Sequence, residues 1–195
     1  MKITNEDNME LMSSYEYNHF DLAIVDPPFG VGNFVQTTGN IRGKKVKWNE
    51  TTPSKKYFKE LKRVSKNYII WGGNYFNYVS DKGVIIWYKG KSGNFKEGEL
   101  AKTNINTFKV FKYSRADAYI NDCDSKIHPT QKPVKLYEWL LMNYAKEGDK
   151  ILVNGYIAQH GMAIMSERKG LEFETTLVSD STNLNFLVKH LLDKF

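Results

Sequence analysis

The chain has 195 residues, 41% of them hydrophobic and 26% charged, which is ordinary for a globular chain able to build one sizeable core. A formal charge of +6 and a pI near 9.1 favour polyanionic partners. Cys123 is the only cysteine, so an internal disulfide and a cysteine-rich zinc site are excluded, and no apolar run is long enough to span a bilayer. The amino-terminal residues have no signal-peptide core, and a cytoplasmic location in a bacterial or phage-infected cell is expected.

In chain order, the first predicted strand is Leu22 to Val25, and it runs directly into Asp26-Pro27-Pro28-Phe29. Few chemistries need an acid, two prolines and an aromatic in a row. Alkylation of an exocyclic amine on a nucleic-acid base is one that does. The amine lone pair is conjugated into the ring, so a site must accept hydrogen bonds from both N–H groups as the nitrogen becomes tetrahedral. Asp26 supplies one acceptor. Proline lacks an N–H and fixes φ, which leaves the carbonyls around Pro27 and Pro28 free for the other. Phe29 offers a flat face to a base unstacked from its duplex. An Asp-Pro-Pro turn leading into a core phenylalanine accounts equally well for these four residues taken alone.

Pro53 and Ser54 open a predicted helix over 54–65, followed by a strand from Tyr68 to Trp71 and the turn Gly72-Gly73-Asn74. Another strand spans Val84 to Trp87. Residues 90–127 are the least regular stretch and are expected to form a binding loop. A helix is expected over 132–145, then strands over 150–153 and 173–178, with a helix between them at 161–168. Strands separated by helices predict a mainly parallel α/β sheet, with ligands beyond the carboxyl ends of its strands. That rule gathers Asp26 to Phe29, Gly72 to Asn74 and the segment after Val153 around one crevice.

Cations gather at Arg42, Lys44, Lys45 and Lys47, along 55–66, and across Lys89, Lys91, Lys96, Lys102, Lys109, Lys112 and Arg115. Trp48, Tyr57, Tyr88, Phe95, Phe108, Phe111 and Tyr113 are interleaved with them. Such a mixture suits phosphate contacts and base stacking, and a solvated lysine face is the plainer alternative. Lys44, Lys45, Lys47, Lys91 and Arg115 are the candidate DNA contacts.

Taken together, Asp26-Pro27-Pro28-Phe29-Gly30-Val31-Gly32, Ile70-Trp71-Gly72-Gly73-Asn74-Tyr75-Phe76 and His128-Pro129-Thr130-Gln131-Lys132-Pro133 resemble the β-group DNA amino-methyltransferases. Most of the chain, about residues 1–150, resembles that family in order and spacing. The resemblance implies a Rossmann-like methyltransferase fold with a circularly permuted motif order: a catalytic half (1–89), a target-recognition insert (90–127) and a cofactor-side half (128–195) within one domain. It implies S-adenosylmethionine as methyl donor, double-stranded DNA as partner, and adenine N6 as acceptor, because Asp rather than Ser precedes the prolines. Asp26, Pro27, Pro28 and Phe29 then carry catalysis. Asp26, His128, Thr130, Gln131, Lys132, Asn154 and Gly155 border the cofactor. The short insert suits a homodimer sharing the duplex.

The family pattern breaks after Leu152. An Asp followed by Gly-x-Gly is expected, and the chain reads Val153-Asn154-Gly155-Tyr156-Ile157-Ala158-Gln159-His160-Gly161. Leu177 and Ser179 stand where an acidic residue would hold the donor ribose. A shifted register that recruits Gly155, Gly161 and Asp180 restores the donor site. Otherwise the chain is a catalytically inactive homologue that binds DNA or an active methyltransferase partner.

Overall fold

A computed structural model describes residues 2–3, 7–30, 34–35, 45–46, 51–91, 96–114, 116–117, 132–155 and 173–175. For 2–3, 34–35, 45–46, 154–155 and 173–175 the description is of the backbone.

Eight strands form one sheet: β1 (Lys2–Ile3), β2 (Phe20–Asp26), β5 (Ser65–Trp71), β6 (Gly83–Tyr88), β7 (Gly98–Thr103), β8 (Phe108–Lys112), β9 (Ile151–Gly155) and β10 (Phe173–Thr175). Their spatial order is β1-β10-β9-β2-β5-β7-β6-β8, and a separate two-stranded ribbon pairs β3 (Phe34–Val35) with β4 (Lys45–Val46). β7 runs antiparallel to both of its neighbours, and every other pairing in the large sheet is parallel. The expected mainly parallel α/β sheet is therefore present. Within residues 90–127, however, β7 and β8 are ordered sheet strands rather than loop. Gly98-Glu99-Leu100-Ala101-Lys102-Thr103 has weak apolar alternation, and only pairing with β5 and β6 makes it a strand. The helix expected at 161–168 lies outside the described residues.

Strand alternation divides the core between the two faces of the sheet. Leu22, Ile24, Ile69, Trp71, Ile85, Trp87 and Ala101 project to one face and pack under helix α3 (Val134–Tyr144), which contributes Leu136, Tyr137, Leu140 and Leu141. Ala23, Val25, Tyr68 and Ile70 project to the other face, where helix α2 (Lys55–Val64) covers them with Tyr57, Phe58, Leu61 and Val64. The short helix α1 (Asn8–Ser13) adds Met12 on that side. Side chains as large as Phe58 and Leu61, fully withdrawn from water, each contribute about 1.5–3 kcal/mol. Ser54 caps α2 by accepting the Tyr57 N–H at 3.3 Å, and Pro133 stands at the N-cap of α3. Both helices thus begin where their prolines and serine predict.

Candidate active site

β2 ends at Asp26 between two parallel neighbours: Val25 is level with Ile70 of β5, and Asp26 with Gly155 of β9. Asp26-Pro27-Pro28-Phe29, Gly72-Gly73-Asn74 and the backbone of Asn154 and Gly155 consequently meet at the carboxyl edge of the sheet, as the crevice rule requires.

The same alternation that buries Leu22 and Ile24 carries Asp26 onto the α3 face. A lone carboxylate there would be strongly disfavoured. It is paired instead with Lys132, from the segment leading into α3, whose ammonium lies 2.7 Å from Asp26 Oδ2. Only 1% of the Lys132 side chain and 6% of the Asp26 side chain are exposed, so this is a buried pair. Glu99 of β7 holds the same ammonium at 3.0 Å and also accepts from Lys89, just beyond β6. The ammonium of Lys132 additionally lies 5.3 Å from the Trp71 ring centre and 5.8 Å from that of Phe29, distances at which ring faces favour a cation.

These four charges set one another. Burial pushes the Asp26 carboxyl above the ordinary carboxylate range; Lys132 pulls against this, and the charge of Glu99 adds to it. Burial also works against the charge on Glu99, yet Lys132 and Lys89 together hold its carboxyl down to about 2. Burial works to discharge Lys132, but Asp26 and Glu99 outweigh it and keep the ammonium above the ordinary lysine range. Glu99 is thus firmly ionised, and Asp26 is the carboxylate with the higher proton affinity. The buried hydroxyls of Tyr57 and Tyr137 both sense the Asp26 charge, are raised chiefly by burial, and have no hydrogen-bond partner among the described residues.

Phe29 leaves Asp26 in the other direction and packs on the α2 side, its ring stacked on Tyr75 at 5.1 Å and 10° and edge-on to Phe76. The ring lies directly on Gly72, whose φ is +67°. A Cβ at Gly72 would come within 2.1 Å of Phe29 Cε1. Gly72→Ala is expected to cost about 1–2 kcal/mol for the left-handed backbone alone, and more for displacing Phe29. Urea unfolding checks this; a variant as stable as the parent would mean that the turn and ring rearrange freely.

The basic stretches are partly structural. Lys89 is only 6% exposed and serves Glu99. Lys62 pairs with Asp81 at 2.8 Å, Lys66 with Asp21 at 2.6 Å, and Arg63 donates to the carbonyls of Met12 and Tyr15. Tyr57 is buried, and Phe111 and Tyr113 pack against the core, whereas Phe108 is exposed. Of the candidate DNA contacts, Lys91 is exposed, Lys45 has only its backbone described in β4, and Lys44, Lys47 and Arg115 lie outside the described residues. His128, Thr130 and Gln131 also lie outside them, so Lys132 alone represents the contacting part of its motif. Among the described residues no cluster of His, Cys, Asp or Glu is placed to hold a metal ion, and no helix is long and apolar enough to cross a membrane.

Sequence reasoning did not single out Glu99, and it grouped Lys89 with the surface cations. Strand parity held the signal: Glu99 shares a face with Ala101, and Lys89 with Trp87 and Ile85.

No protein-family model matches the chain. Carbamoyl dehydratase HypE of Bradyrhizobium diazoefficiens is 48% identical over 48 residues, 25% of this chain and 14% of that protein. Type II methyltransferase M.HpaI of Haemophilus parainfluenzae is 26% identical over 191 residues, covering 74% of this chain and 60% of the relative. That alignment is longer than the matched share of this chain, so M.HpaI carries insertions that this chain lacks. The chain therefore spans a small part of the dehydratases it matches and less than two thirds of M.HpaI. Among solved structures, M1.HpyAVI in complex with SAM superposes with a TM-score of 0.55 at 15% identity, covering 97% of this chain and 98% of that one. The cytosine-N4-specific PvuII DNA methyltransferase superposes with a TM-score of 0.57 at 12% identity, covering 91% and 81%. With its mainly parallel sheet and the antiparallel β7, this chain has the Rossmann-like fold of the DNA methyltransferases.

Proposed function

We propose that the chain is a DNA methyltransferase that transfers a methyl group from S-adenosylmethionine to the N6 amine of a flipped-out adenine. The observation that carries this reading is the buried Asp26 carboxylate at the carboxyl end of β2, held by Lys132 and adjoining the turn that delivers Phe29.

An exocyclic amine sheds one proton as its new N–C bond forms. Asp26, whose burial raises its proton affinity, is suited to accept a hydrogen bond from that amine and then take the proton. The carbonyl after Pro27 accepts the second N–H. When bound, S-adenosylmethionine supplies the methyl group from its sulfonium. Of the expected cofactor-side residues, Asp26, Lys132, Asn154 and Gly155 are described and would border it: β9 lies directly beside β2, and Gly155 brings no Cβ to the level of Asp26. Double-stranded DNA would meet the cations that remain exposed, Lys91 among them. The choice of adenine over cytosine rests on Asp26 standing where cytosine enzymes resemble one another in having Ser. A homodimer sharing the duplex and a cytoplasmic location belong to the same reading.

The test is direct. Labelled donor and mixed-sequence duplex DNA, followed by digestion to nucleosides, should yield N6-methyladenine. N4-methylcytosine would reassign the base, and a folded protein that labels neither would overturn the enzyme reading.

One observation favours a second reading. The match to the carbamoyl dehydratases covers 48 residues, and the stretch of this chain after Glu147 has that same length. We infer that the two coincide, because the departure from the methyltransferase pattern, which begins after Leu152, falls inside that stretch, with Ile157 and Gln159 in place of the expected glycines. On this reading the cofactor-side half has a different ancestry from the acceptor half. The chain is then a catalytically inactive homologue that binds DNA or pairs with an active methyltransferase. Calorimetry separates the readings: micromolar binding of S-adenosylmethionine rejects the inactive form, and salt-sensitive DNA binding without donor binding supports it.

A further inference from the structure

We propose that Glu99, anchored by Lys89, is a positioning residue for the amine-accepting site: it shares the Lys132 ammonium with Asp26, and so sets both the direction and the proton affinity of the Asp26 carboxylate. The inference rests on Asp26 as amine acceptor, and it extends the site to two residues in neither of the motifs that flank it.

The geometry follows from the sheet. Glu99 is level with Trp87 across the β6–β7 pair, and Lys89 lies two residues beyond Trp87 on the same face. Lys89 donates its backbone N–H to the Glu97 carbonyl at 2.7 Å, and its ammonium lies 4.5 Å from the Trp87 ring centre. Both ends of the Glu99–Lys89 pair are thereby fixed by sheet pairing. Lys132 then sits between carboxylates projecting from β2 and β7, at 2.7 Å and 3.0 Å, with the Trp71 ring alongside. An ammonium has three donors, enough to bond both carboxylates at once, but its single positive charge is shared between two negative ones, and the charge of Glu99 works against ionisation of Asp26.

That competition has a chemical use. Were Lys132 paired with Asp26 alone, the carboxylate would be a poor proton acceptor. With Glu99 drawing on the same ammonium, Asp26 keeps the higher proton affinity of a buried carboxyl while Lys132 still holds it in place. Among the described residues, the groups facing Asp26 are Lys132 ahead of α3, Glu99 on β7, Lys89 after β6, Tyr57 on α2 and Tyr137 on α3; the tyrosines stay neutral. Changes in Asp26 titration are therefore attributable to the three charged partners.

The test is a carboxyl titration of Asp26 in protein carrying 13C-labelled aspartate, with Asp26→Asn used for assignment. Glu99→Gln is expected to move the Asp26 midpoint to lower pH, because it removes the negative charge that disfavours ionisation of Asp26 while the amide oxygen can still accept from Lys132. Glu99→Asp should restore part of the shift. Lys132→Met should move the midpoint the opposite way, to higher pH; if that variant does not fold, the two Glu99 variants decide the matter. A merely structural Glu99 predicts no such opposition. An Asp26 midpoint unmoved or raised by Glu99→Gln overturns the proposal. In parallel, the acidic limb of methyl transfer to mixed-sequence duplex DNA should shift with the midpoint. If the parent protein transfers no methyl group, the catalytic reading falls, while the titration still decides whether Glu99 governs Asp26.

Discussion

Asp26→Ala is expected to lower methyl transfer by at least about 100-fold, the cost of removing one acceptor aimed at charge that develops in the transition state. DNA affinity should hardly change, because phosphate contacts rather than Asp26 drive it. The fold should survive as well. Lys132 loses one carboxylate but keeps Glu99 at 3.0 Å, so no unpaired cation is left in the interior. Kinetics on mixed-sequence duplex DNA, with binding measured at two salt concentrations, separates these effects. A large loss of DNA affinity would make Asp26 a structural residue, and near-normal transfer would remove it from the chemistry.

Lys132→Met is expected to have the largest effect on stability, about 3–5 kcal/mol, because it leaves the Asp26 carboxylate buried with no ammonium against it. Glu99 keeps Lys89, so the penalty falls mainly on Asp26. The sign of the pH dependence follows. Burial already raises the Asp26 carboxyl, and removing Lys132 takes away the main influence that lowers it. An acid whose folded-state proton affinity exceeds its unfolded one costs stability above its unfolded pKa and gives it back as pH falls. The deficit should therefore be widest at neutral pH and should narrow on acidification through the carboxylate range. Urea unfolding across that range checks it; a deficit that is independent of pH, or that grows in acid, would mean that packing rather than charge explains the loss.

Parts of the fold were legible because their signals are local. The runs Leu22 to Val25 and Tyr68 to Trp71 are apolar on both faces, as buried parallel strands are, and both are central strands here. Pro53, Ser54 and Pro133 mark helix starts by their own backbone chemistry. β7 and β8 look irregular in sequence because Glu99, Lys102, Lys109 and Lys112 break any apolar run. Their strand character comes from neighbours distant in sequence. The lysine clusters misled for the same reason: the sequence counts charges, and it does not tell which of Lys62, Lys66 and Lys89 meet a carboxylate.

The sequence by itself determined the acceptor motif, the order of the three motifs, the α/β class and the break after Leu152, all properties of residues adjacent in the chain. Only the tertiary structure decided what Asp26 touches. Lys132 lies 106 residues away, and Glu99 on β7 and Lys89 just after β6 come from another part of the sheet. Bringing four charges into one largely buried cluster is favourable only when all four meet at once, and that condition belongs to the packed sheet rather than to any stretch of sequence.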